Sequence, residues 1–412
     1  MLLQFNFKNY KSFRDDTTLD LTATESTKYN NHIVKIGNEK VLPVSAIFGA
    51  NASGKSNVYS AFKYMCVYVF KSLDFGSTSR SSYNRKSKFI KPFPFLFDES
   101  SKDAESLFEV YFTAIEDGTV VVYNYGFTIN KNGVCEEWLN NKTEMEEEFK
   151  LIFYRNNEEL DLSGIPPKRR ENIEIALSDK TLVVSLGAAL NIEVLKTVSD
   201  WFVDNYCVSF GEPTENFILS RLMPNRFDTD ENVRKKVVDY FSSFDPSIIR
   251  LDVEIINPND EDPDIQVYAV HKMIDSDKTG VLPLGQESAG TLKMFALYPV
   301  LQDVLENGSV MFVDELNSRL HPLLVRTFVT TFLNPEINKK NAQLIFTSHD
   351  TWQLNSNLLR KDEIWFTEKN QNGISNLYSL ADFSDENTVE NHEEDYMLGK
   401  YGAIPTVKNF DM

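Results

Sequence analysis

Cysteine is scarce in this sequence of 412 residues, which contains only Cys66, Cys135 and Cys207. No short spacing relates the three, and at least one of them must stay unpaired, so a disulfide scaffold is not expected. A reducing compartment is favoured, because disulfide-dense scaffolds belong to oxidising compartments. We therefore predict a cytoplasmic protein.

Long apolar runs are also missing. No stretch of about 18 apolar residues occurs, so no membrane-spanning helix is predicted. The first residues, Met1–Phe5, lack the charged and apolar regions of a secretory signal peptide. No heptad run is long enough for a coiled-coil arm. What remains is a globular chain with enough residues for two or three domains.

Positive charge is scarce, because the sequence has 42 Lys and Arg residues but 61 Asp and Glu residues, which gives a net charge of -19. A surface this acidic argues against general coating of DNA, where basic side chains must neutralise phosphates. The tail at 382–395 is acidic and carries no Lys or Arg, which suits a solvated face or a docking surface. Residues 76–91 depart from this trend and form either a solvated loop or a local surface for phosphates. Their basic residues are Arg80, Arg85, Lys86, Lys88 and Lys91.

The most informative segment that is present is residues 46–56, AIFGANASGKS, which fits the phosphate-loop pattern G-x-x-x-x-G-K-[ST]. Residues 43–48 are predicted as a strand and 57–73 as a helix, which is the context that this loop requires. The loop N–H groups and the helix N-terminus favour an anion. We expect Lys55 to reach the β- and γ-phosphates and Ser56 to ligate Mg²⁺. The predicted nucleotide-binding residues are Gly49, Asn51, Ala52, Ser53, Gly54, Lys55, Ser56 and Asn57.

Two carboxylates, Asp314 and Glu315, follow the apolar segment 309–313. This pattern is typical of a buried parallel strand whose carboxyl end meets a ligand. We expect Asp314 to hold Mg²⁺, and Glu315 to polarise an attacking water as general base. Such pairs also end ordinary strands, but the phosphate loop upstream favours the catalytic interpretation.

A second apolar segment, 344–348, ends at His349, whose imidazole can donate a hydrogen bond to a γ-phosphate. A lone histidine at a strand end is usually structural, but its place one helix after Asp314 favours a catalytic role. Ser288 and Gly290 open a predicted helix and form a candidate anion site. An N-cap serine is the simpler interpretation of Ser288 taken alone.

The order of these motifs resembles that of ABC-type ATPase heads. Residues 288–290 match the signature motif, residues 316–321 occupy the D-loop and His349 matches the switch histidine. The resemblance implies that Ser288 and Gly290 contact the γ-phosphate held by a second head. ATP would then join two copies head to tail, and hydrolysis would release them.

The opening residues 7–13, FKNYKSF, resemble those of RecF, SMC and OLD-type ATPases, as do the phosphate loop and residues 314–322. The closest resemblance is to the short ABC-like ATPases of bacterial abortive-infection and PARIS-type anti-phage systems, whose ending resembles residues 396–405. It covers residues 1–60 and 280–405. It implies an ATP-switched sensor or scaffold, a phage protein as trigger and a nuclease effector on a separate chain.

Two positions depart from the ABC pattern. ABC heads usually place a Mg²⁺-sensing glutamine after the phosphate loop, but no glutamine occurs between Gln4 and Gln266. The coupling is expected to use another residue, in the segment Lys91–Phe93, or to be absent. His321 stands where the D-loop often has Asp, so the inter-subunit contact at that position is left open.

The predicted fold class is α/β, an ABC-ATPase head with an antiparallel β meander and a mainly helical lid insertion, without a long coiled coil. Residues 1–165 are assigned to an N-terminal lobe with the phosphate loop and the meander. Residues 166–245 are assigned to the helical lid. Residues 246–412 are assigned to a C-terminal lobe with the signature, the carboxylate strand, the switch histidine and the tail.

Two alternative functions were weighed against this one, and the first of them remains open. A RecF-like DNA-repair clamp would use the basic residues of segment 76–91 to bind DNA directly. A transporter subunit is disfavoured by the missing glutamine and by the large insertion after the phosphate loop.

Residues 275–277, DSD, resemble a metal-binding pair but lie in a polar turn, and too few residues follow His349 for a TOPRIM nuclease. We therefore expect ATPase activity without nuclease activity.

Overall fold

A computed structural model describes the chain at residues 1–26, 28–76, 89–212, 215, 222–242, 244–256, 264–355, 358–383 and 391–405. Strands β1 to β18 are Leu2–Lys8, Thr17–Asp20, Val34–Ile36, Glu39–Val41, Val44–Gly49, Ser106–Glu116, Thr119–Ile129, Val134–Thr143, Lys150–Arg155, Leu160–Asp161, Tyr206–Ser209, Ile248–Ile256, Asp264–Lys272, Thr279–Pro283, Val310–Asp314, Gln343–Thr347, Ile364–Lys369 and Ser375–Ser379. Helices α1 to α9 are Lys55–Gly76, Pro167–Ala176, Val183–Ala189, Glu193–Val203, Glu231–Phe241, Ala289–Asn307, Pro322–Leu333, Trp352–Asn355 and His392–Met397.

Seven strands form an antiparallel sheet in the order β10-β9-β8-β7-β6-β1-β2. The turn between β6 and β7 is made by Asp117 and Gly118, with φ of 48° and 82°. Two consecutive residues with positive φ give the turn type whose twist matches that of a hairpin. The predicted antiparallel meander is confirmed.

Six strands form a second sheet in the order β11-β15-β16-β5-β17-β18, parallel except for β18. Strand β5 lies inside this sheet and is buried along its whole length. The carboxyl ends of parallel strands meet at one edge, where ligands bind in α/β proteins. The phosphate loop follows β5, Glu315 follows β15 and His349 comes shortly after β16, so the topology brings these three motifs together.

Helix α1 packs between the two sheets. The ring of Phe62 lies 5.3 Å from that of Phe5 in the antiparallel sheet and 5.9 Å from that of Phe312 in β15, measured between centroids. Val58 and Met65 are buried in the same core. The helix predicted over residues 57–73 is confirmed and extends further at both ends. One shared core therefore positions the phosphate loop against both sheets.

Helices α6 and α7 cover the other face of the parallel sheet. Phe48 of β5, Phe295 and Leu297 of α6 and Phe328 of α7 are buried in this second core. Helices on both faces of a mainly parallel sheet define an α/β fold, so the predicted fold class is confirmed. The longest helix among the described residues, α1, has 22 residues, and that part of the chain contains no long coiled coil.

The segment predicted as a helical lid, residues 166–245, contains α2 to α5. It also contains β11, which pairs in parallel with β15 and which the sequence did not predict. Strands β12 and β13 join β14 in a small antiparallel sheet. The domain boundaries after residues 165 and 245 stay a prediction.

Some sequence features fall outside the described residues. These include part of the acidic tail, residues 384–390, and four of the five basic residues of segment 76–91.

The three cysteines are free thiols. Within the ranges that the structure describes, no helix is both long and apolar enough to cross a membrane.

Candidate functional site

The phosphate loop needs glycine at two positions. Gly49 and Gly54 have φ of 150° and 125°, a region that side chains disfavour. A Cβ at Gly49 would lie 2.5 Å from the carbonyl oxygen of Thr367, and a Cβ at Gly54 would lie 2.7 Å from Oγ of Ser375. The loop therefore packs too closely against β17 and β18 to accept a larger residue.

Lys55 places its ammonium group inside this loop. Nζ donates hydrogen bonds to the carbonyl oxygens of Gly49 at 2.8 Å and Ala50 at 3.0 Å. Burial lowers the pKa of Lys55 to about 8, against the opposing effect of the Glu315 and Asp314 charges. The cation is thus held where the loop backbone would enclose a phosphate group.

The N-terminal segment 7–13 is fastened to the loop through Ser12. Asn57 donates to Oγ of Ser12 at 2.7 Å, and Oγ of Ser375 lies 2.8 Å from the same oxygen. Ser375 also donates to the carbonyl oxygen of Ser53 at 2.6 Å. The motif that suggested the RecF, SMC and OLD-type resemblance therefore supports the phosphate loop directly.

Asp314 ends β15 in a buried position beside the loop. Its carboxylate accepts hydrogen bonds from Oγ1 of Thr347 at 2.8 Å and Oγ of Ser209 at 3.1 Å. Burial raises the pKa of Asp314, while hydrogen bonds from Thr347, Ser56 and Ser209 act in the opposite direction. The structure thus brings together Ser56 and Asp314, the two predicted Mg²⁺ ligands.

These oxygens fit Mg²⁺, which prefers hard ligands and is commonly held by one or two carboxylates together with substrate phosphates. A metal site built from protein side chains alone is not expected here. Among the residues that the structure describes, no group of three or more His, Cys, Asp and Glu side chains could hold a metal ion.

Glu315 and His349 contact each other at the same edge, with Oε1 of Glu315 at 2.7 Å from Nε2 of His349. Burial alone would raise the pKa of Glu315. The hydrogen bond with His349 and the charges of His349, Lys55 and Lys293 outweigh burial and lower it. The backbone of Glu315 has φ of 59°, an uncommon conformation for a non-glycine residue. Such strain clusters at functional sites.

A cleft of about 400 Å³ joins these groups. Phosphate-loop residues line one side, and Glu315, His349 and Lys369 line the rest. The residues contributed by the loop and the start of α1 are Asn51, Ala52, Ser53, Gly54, Lys55, Ser56 and Asn57. Ser288 and Gly290 are not among the lining residues, so the structure brings together the predicted nucleotide, metal and catalytic groups but not the signature pair.

Residues 44–351 match the protein family described as "AAA domain, putative AbiEii toxin, Type IV TA system". The matched region runs from β5 past His349 and contains the phosphate loop, the signature pair and the carboxylates. The chain belongs to this AAA family. It is therefore a P-loop ATPase of the AAA type, and the predicted resemblance to ABC-type ATPases of the RecF and SMC group is confirmed.

Two solved structures are similar to this AAA protein. One is the SmcHead bound to the C-winged helix domain of ScpA, with 14% identity, a TM-score of 0.46 and coverage of 93% of this chain and 98% of that chain. The other is the Smc head domain with an extended coiled coil bound to the C-terminal domain of ScpA, derived from Pyrococcus furiosus. It has 15% identity, a TM-score of 0.42 and coverage of 97% and 99%. No curated protein matches the chain.

The signature pair of the AAA protein opens helix α6. Ser288 is its N-cap, and Oγ of Ser288 accepts a hydrogen bond from the backbone N–H of Thr291 at 3.1 Å. The simpler interpretation of this serine is therefore correct at the local level. An N-cap role is compatible with an anion site, because the first N–H groups of a helix attract negative charge.

Lys293 contacts the segment after β15, and the sequence did not predict a role for it. Its Nζ donates to the carbonyl oxygens of Glu315, Leu316 and Ser318 at 3.2, 2.6 and 2.9 Å. It also lies 3.7 Å from the ring centroid of Phe210. Burial lowers the pKa of Lys293 to about 7. A lysine on an otherwise apolar helix face was the one feature of the sequence that could have pointed to this residue.

The segment expected to replace the missing glutamine lies beside the N-terminal motif. The carbonyl oxygen of Phe93 accepts a hydrogen bond from the backbone N–H of Lys11 at 2.6 Å. Nζ of Lys11 lies 5.8 Å from the ring centroid of Tyr10 and 6.0 Å from that of Phe93. Burial lowers the pKa of Lys11, while Glu212 and Asp314 oppose this effect. A coupling role for Lys91–Phe93 stays a prediction.

Two other sequence expectations concern loops. Asp275, Ser276 and Asp277 lie in an exposed turn between β13 and β14, as predicted, and Asp275 has φ of 54°. His321 is the N-cap of α7 and accepts a hydrogen bond from the N–H of Leu323 at 3.2 Å. This local role explains a histidine at the D-loop position without an inter-subunit contact.

Proposed function

We propose that this protein is an ATP-binding and ATP-hydrolysing molecular switch. The observation that carries the proposal is the cleft in which the phosphate loop faces Glu315 and His349. A triphosphate that enters the loop would place its γ-phosphate toward these two side chains. The ammonium group of Lys55, the carboxylate of Glu315 and the imidazole of His349 surround one cleft, an arrangement that suits phosphoryl transfer to water.

Each group has a chemical role in this proposal. Lys55 stabilises the negative charge of the β- and γ-phosphates. Ser56 and Asp314 would hold Mg²⁺, which supplies further charge neutralisation when bound. Glu315, whose pKa is lowered, is ionised at neutral pH and can accept a proton from the attacking water. His349 orients that carboxylate and contacts the γ-phosphate.

The complete site, we propose, contains two copies of the chain. Ser288 and Gly290 stay outside the cleft of their own chain, yet they open a helix whose N-terminus suits an anion. In a head-to-tail dimer or higher homo-oligomer they would contact the γ-phosphate held by another copy. Loss of the γ-phosphate would then remove the contact that joins the copies.

In the cell, we propose that this switch serves bacterial anti-phage defence as a sensor or scaffold in the cytoplasm. The family description, which names an AbiEii toxin of a type IV system, supports a defence role. A phage protein would act as trigger, and a separate effector, a nuclease, would carry out the response without nuclease activity in this chain. The lobes at 1–165 and 246–412 form the ATPase head in this proposal, with 166–245 as the lid.

The test of the switch uses Glu315→Gln, which removes the general base while keeping the side-chain shape. With ATP and Mg²⁺, this variant is expected to run as a dimer or larger assembly in size-exclusion chromatography with light scattering. Lys55→Ala should neither bind ATP nor assemble. Glu336→Gln, at an exposed position on the same lobe, is the matched control and should behave as wild type. An unchanged size of Glu315→Gln with and without ATP contradicts the two-copy site.

The test of the partner uses the same trapped variant. Glu315→Gln is co-expressed with the product of the neighbouring gene and purified with and without ATP. A nuclease that co-purifies supports the defence proposal. Salt-dependent binding of duplex DNA by the protein alone, with no partner retained, favours the DNA-repair clamp instead.

A further inference from the structure

Cys66 and Cys207 are far apart in the sequence but are neighbours in the fold. Cys66 lies on α1 and belongs to its buried core, and Cys207 packs against the same core from β11. Both line one groove of about 410 Å³, between α1 on one side and the segment from α4 to β11 on the other. Tertiary packing therefore creates a pair of thiols that no sequence spacing indicates.

The packing of α1 on the parallel sheet places the two thiols face to face. Cys207 is the register partner of Phe312 in β15, so both side chains point to the same face of the sheet. On that face, the rings of Tyr59 and Phe62 lie 5.5 and 5.9 Å from the ring of Phe312, measured between centroids. Cys66 follows Phe62 by one helical turn and lies on the same side of α1. The thiols of Cys66 and Cys207 are hydrogen-bonded to each other.

The groove gives the two thiols different environments. Cys66 is 8% exposed, and burial raises its pKa, whereas Cys207 is half-buried. Phe70 and Val203 border the groove and are 65% and 51% exposed, so small solutes reach it from solvent. Asn205 lines the groove two residues before Cys207, and its buried Nδ2 has no hydrogen-bond partner among the described residues. An unused N–H donor favours the thiolate, which is the reactive form of cysteine.

We propose that Cys66 and Cys207 form a redox-modification site, at which hydrogen peroxide converts the two thiols into one reversible disulfide. The thiolate of Cys207, the more exposed of the two, attacks one peroxide oxygen and becomes a sulfenic acid, and the other oxygen leaves as water. The sulfur of Cys66 then attacks the sulfenic sulfur, and the S–S bond forms as a second water leaves. Two thiols and one peroxide thus give one disulfide and two waters. A thiol reductant reverses the reaction, as is usual for disulfides in reducing compartments.

The disulfide would join two elements that border the proposed ATP site. Helix α1 begins with Lys55 and Ser56, and β11 ends with Ser209, which donates a hydrogen bond to Asp314. A disulfide bond is about 2 Å long, shorter than the separation of two hydrogen-bonded thiols, so its formation must draw α1 and β11 together. We expect this shift to disturb the contact between Ser209 and Asp314 and to slow ATP hydrolysis. This consequence rests on the proposed function, whereas the disulfide itself does not.

The first experiment counts thiols in the full chain. Reduced protein is treated with hydrogen peroxide, unfolded in denaturant with N-ethylmaleimide, and digested without reductant for mass spectrometry. The number of alkylated cysteines should fall from the three that the sequence contains to one, and a peptide pair that joins Cys66 to Cys207 should appear. Dithiothreitol before alkylation should restore all three. The wild-type protein suffices for this measurement, so it does not depend on whether a variant folds.

The controls use single variants. Cys66→Ser and Cys207→Ser should each prevent the disulfide, and Cys135→Ser, the matched control, should form it as wild type does. Three alkylated cysteines after peroxide treatment, oxidation to sulfinic acid without a disulfide, or a disulfide that includes Cys135 overturns the proposal.

The second experiment measures ATP hydrolysis by reduced and oxidised protein. The rate of oxidised wild type should fall by about tenfold or more, since small displacements in an active site have effects of this order, and dithiothreitol should restore it. Peroxide-treated Cys66→Ser should keep its rate. If the disulfide forms and the rate is unchanged, the effect on the ATP site is wrong and the modification site stands. Absence of ATP hydrolysis in the reduced wild type contradicts the proposed function instead.

Discussion

Glu315 is half-buried, and its charge depends on the residues that surround it. Burial favours the protonated acid, whereas His349, Lys55 and Lys293 favour the carboxylate and determine the outcome. Of these, His349 makes the direct hydrogen bond, at 2.7 Å. The imidazole therefore acts on the ionisation of the candidate base as well as on its orientation.

Removing the imidazole should change the pH dependence of ATP hydrolysis. In His349→Asn the hydrogen bond and charge that favour the carboxylate are lost, so the pKa of Glu315 should rise relative to wild type. A base is active above its pKa, and the acid limb of kcat/KM is therefore expected to move to higher pH. The measurement is kcat/KM for ATP across the acid range in both proteins.

The control for this prediction is His321→Asn, because asparagine also serves well as a helix N-cap. Its pH profile should match that of wild type. An acid limb that stays in place in His349→Asn would show that the imidazole does not set the charge of Glu315.

Sequence reasoning found the residues whose motifs carry fixed spacing, such as Lys55 and Asp314. It missed Ser209 and Thr347, which hold the Asp314 carboxylate. Ser209 belongs to a strand far away in sequence that becomes a neighbour only when β11 pairs with β15. Thr347 stands in an apolar strand, where a hydroxyl gives no sign of its partner. Contacts created by tertiary pairing leave no local pattern.

At the scale of elements, a buried arginine joins the segment before β3 to the start of β17. Arg360 is 1% exposed and donates to the carboxylate of Asp362 at 2.7 Å and to the carbonyl oxygen of Lys28 at 2.6 Å. Asp362 in turn accepts from the N–H of Thr24 at 2.8 Å. The pair is desolvated, so each partner needs the other.

Arg360→Met should therefore destabilise the protein strongly. The substitution leaves Asp362 as a buried carboxylate without its cation, which costs about 3–5 kcal/mol in comparable cases. Urea denaturation followed by circular dichroism measures the change in free energy of unfolding. The double variant Arg360→Met with Asp362→Asn should recover part of the loss, since it removes the unpaired charge. Equal midpoints for wild type and Arg360→Met would contradict a structural role for the pair.

Elements with a local signature were predicted well. The β6–β7 hairpin carries alternating residues and an Asp-Gly turn, and α1 carries apolar residues at helical spacing, so both are encoded locally. Strand β11 has four residues among helical patterns, and it gains its stability from pairing with β15. The missed strand and the missed Ser209 thus have the same physical cause.

At the scale of the whole molecule, the net charge of -19 opposes association of two copies. Salt screens repulsion between like charges over roughly 10 Å at 0.1 M ionic strength. Binding to DNA has the opposite dependence, because salt weakens contacts between basic side chains and phosphates. Ionic strength therefore separates the two candidate functions.

We expect the ATP-bound dimer of Glu315→Gln to become tighter as NaCl rises from about 50 to about 300 mM, because screening reduces the repulsion. The dimer dissociation constant from analytical ultracentrifugation at each concentration gives the trend. A dimer that weakens steeply with salt would indicate that attraction between opposite charges at the interface outweighs the repulsion between the two acidic chains.

The position of β5 in the parallel sheet has a consequence for biosynthesis. This apolar strand is synthesised well before its two neighbours, β16 and β17, which come from residues 343–347 and 364–369. Until those residues are synthesised, the nascent chain therefore carries an apolar strand with both edges unpaired. Pairings over such sequence distances close slowly and expose surfaces that aggregate. Chaperone capture during synthesis, and insolubility of any truncation that ends before β16, follow from this chain order.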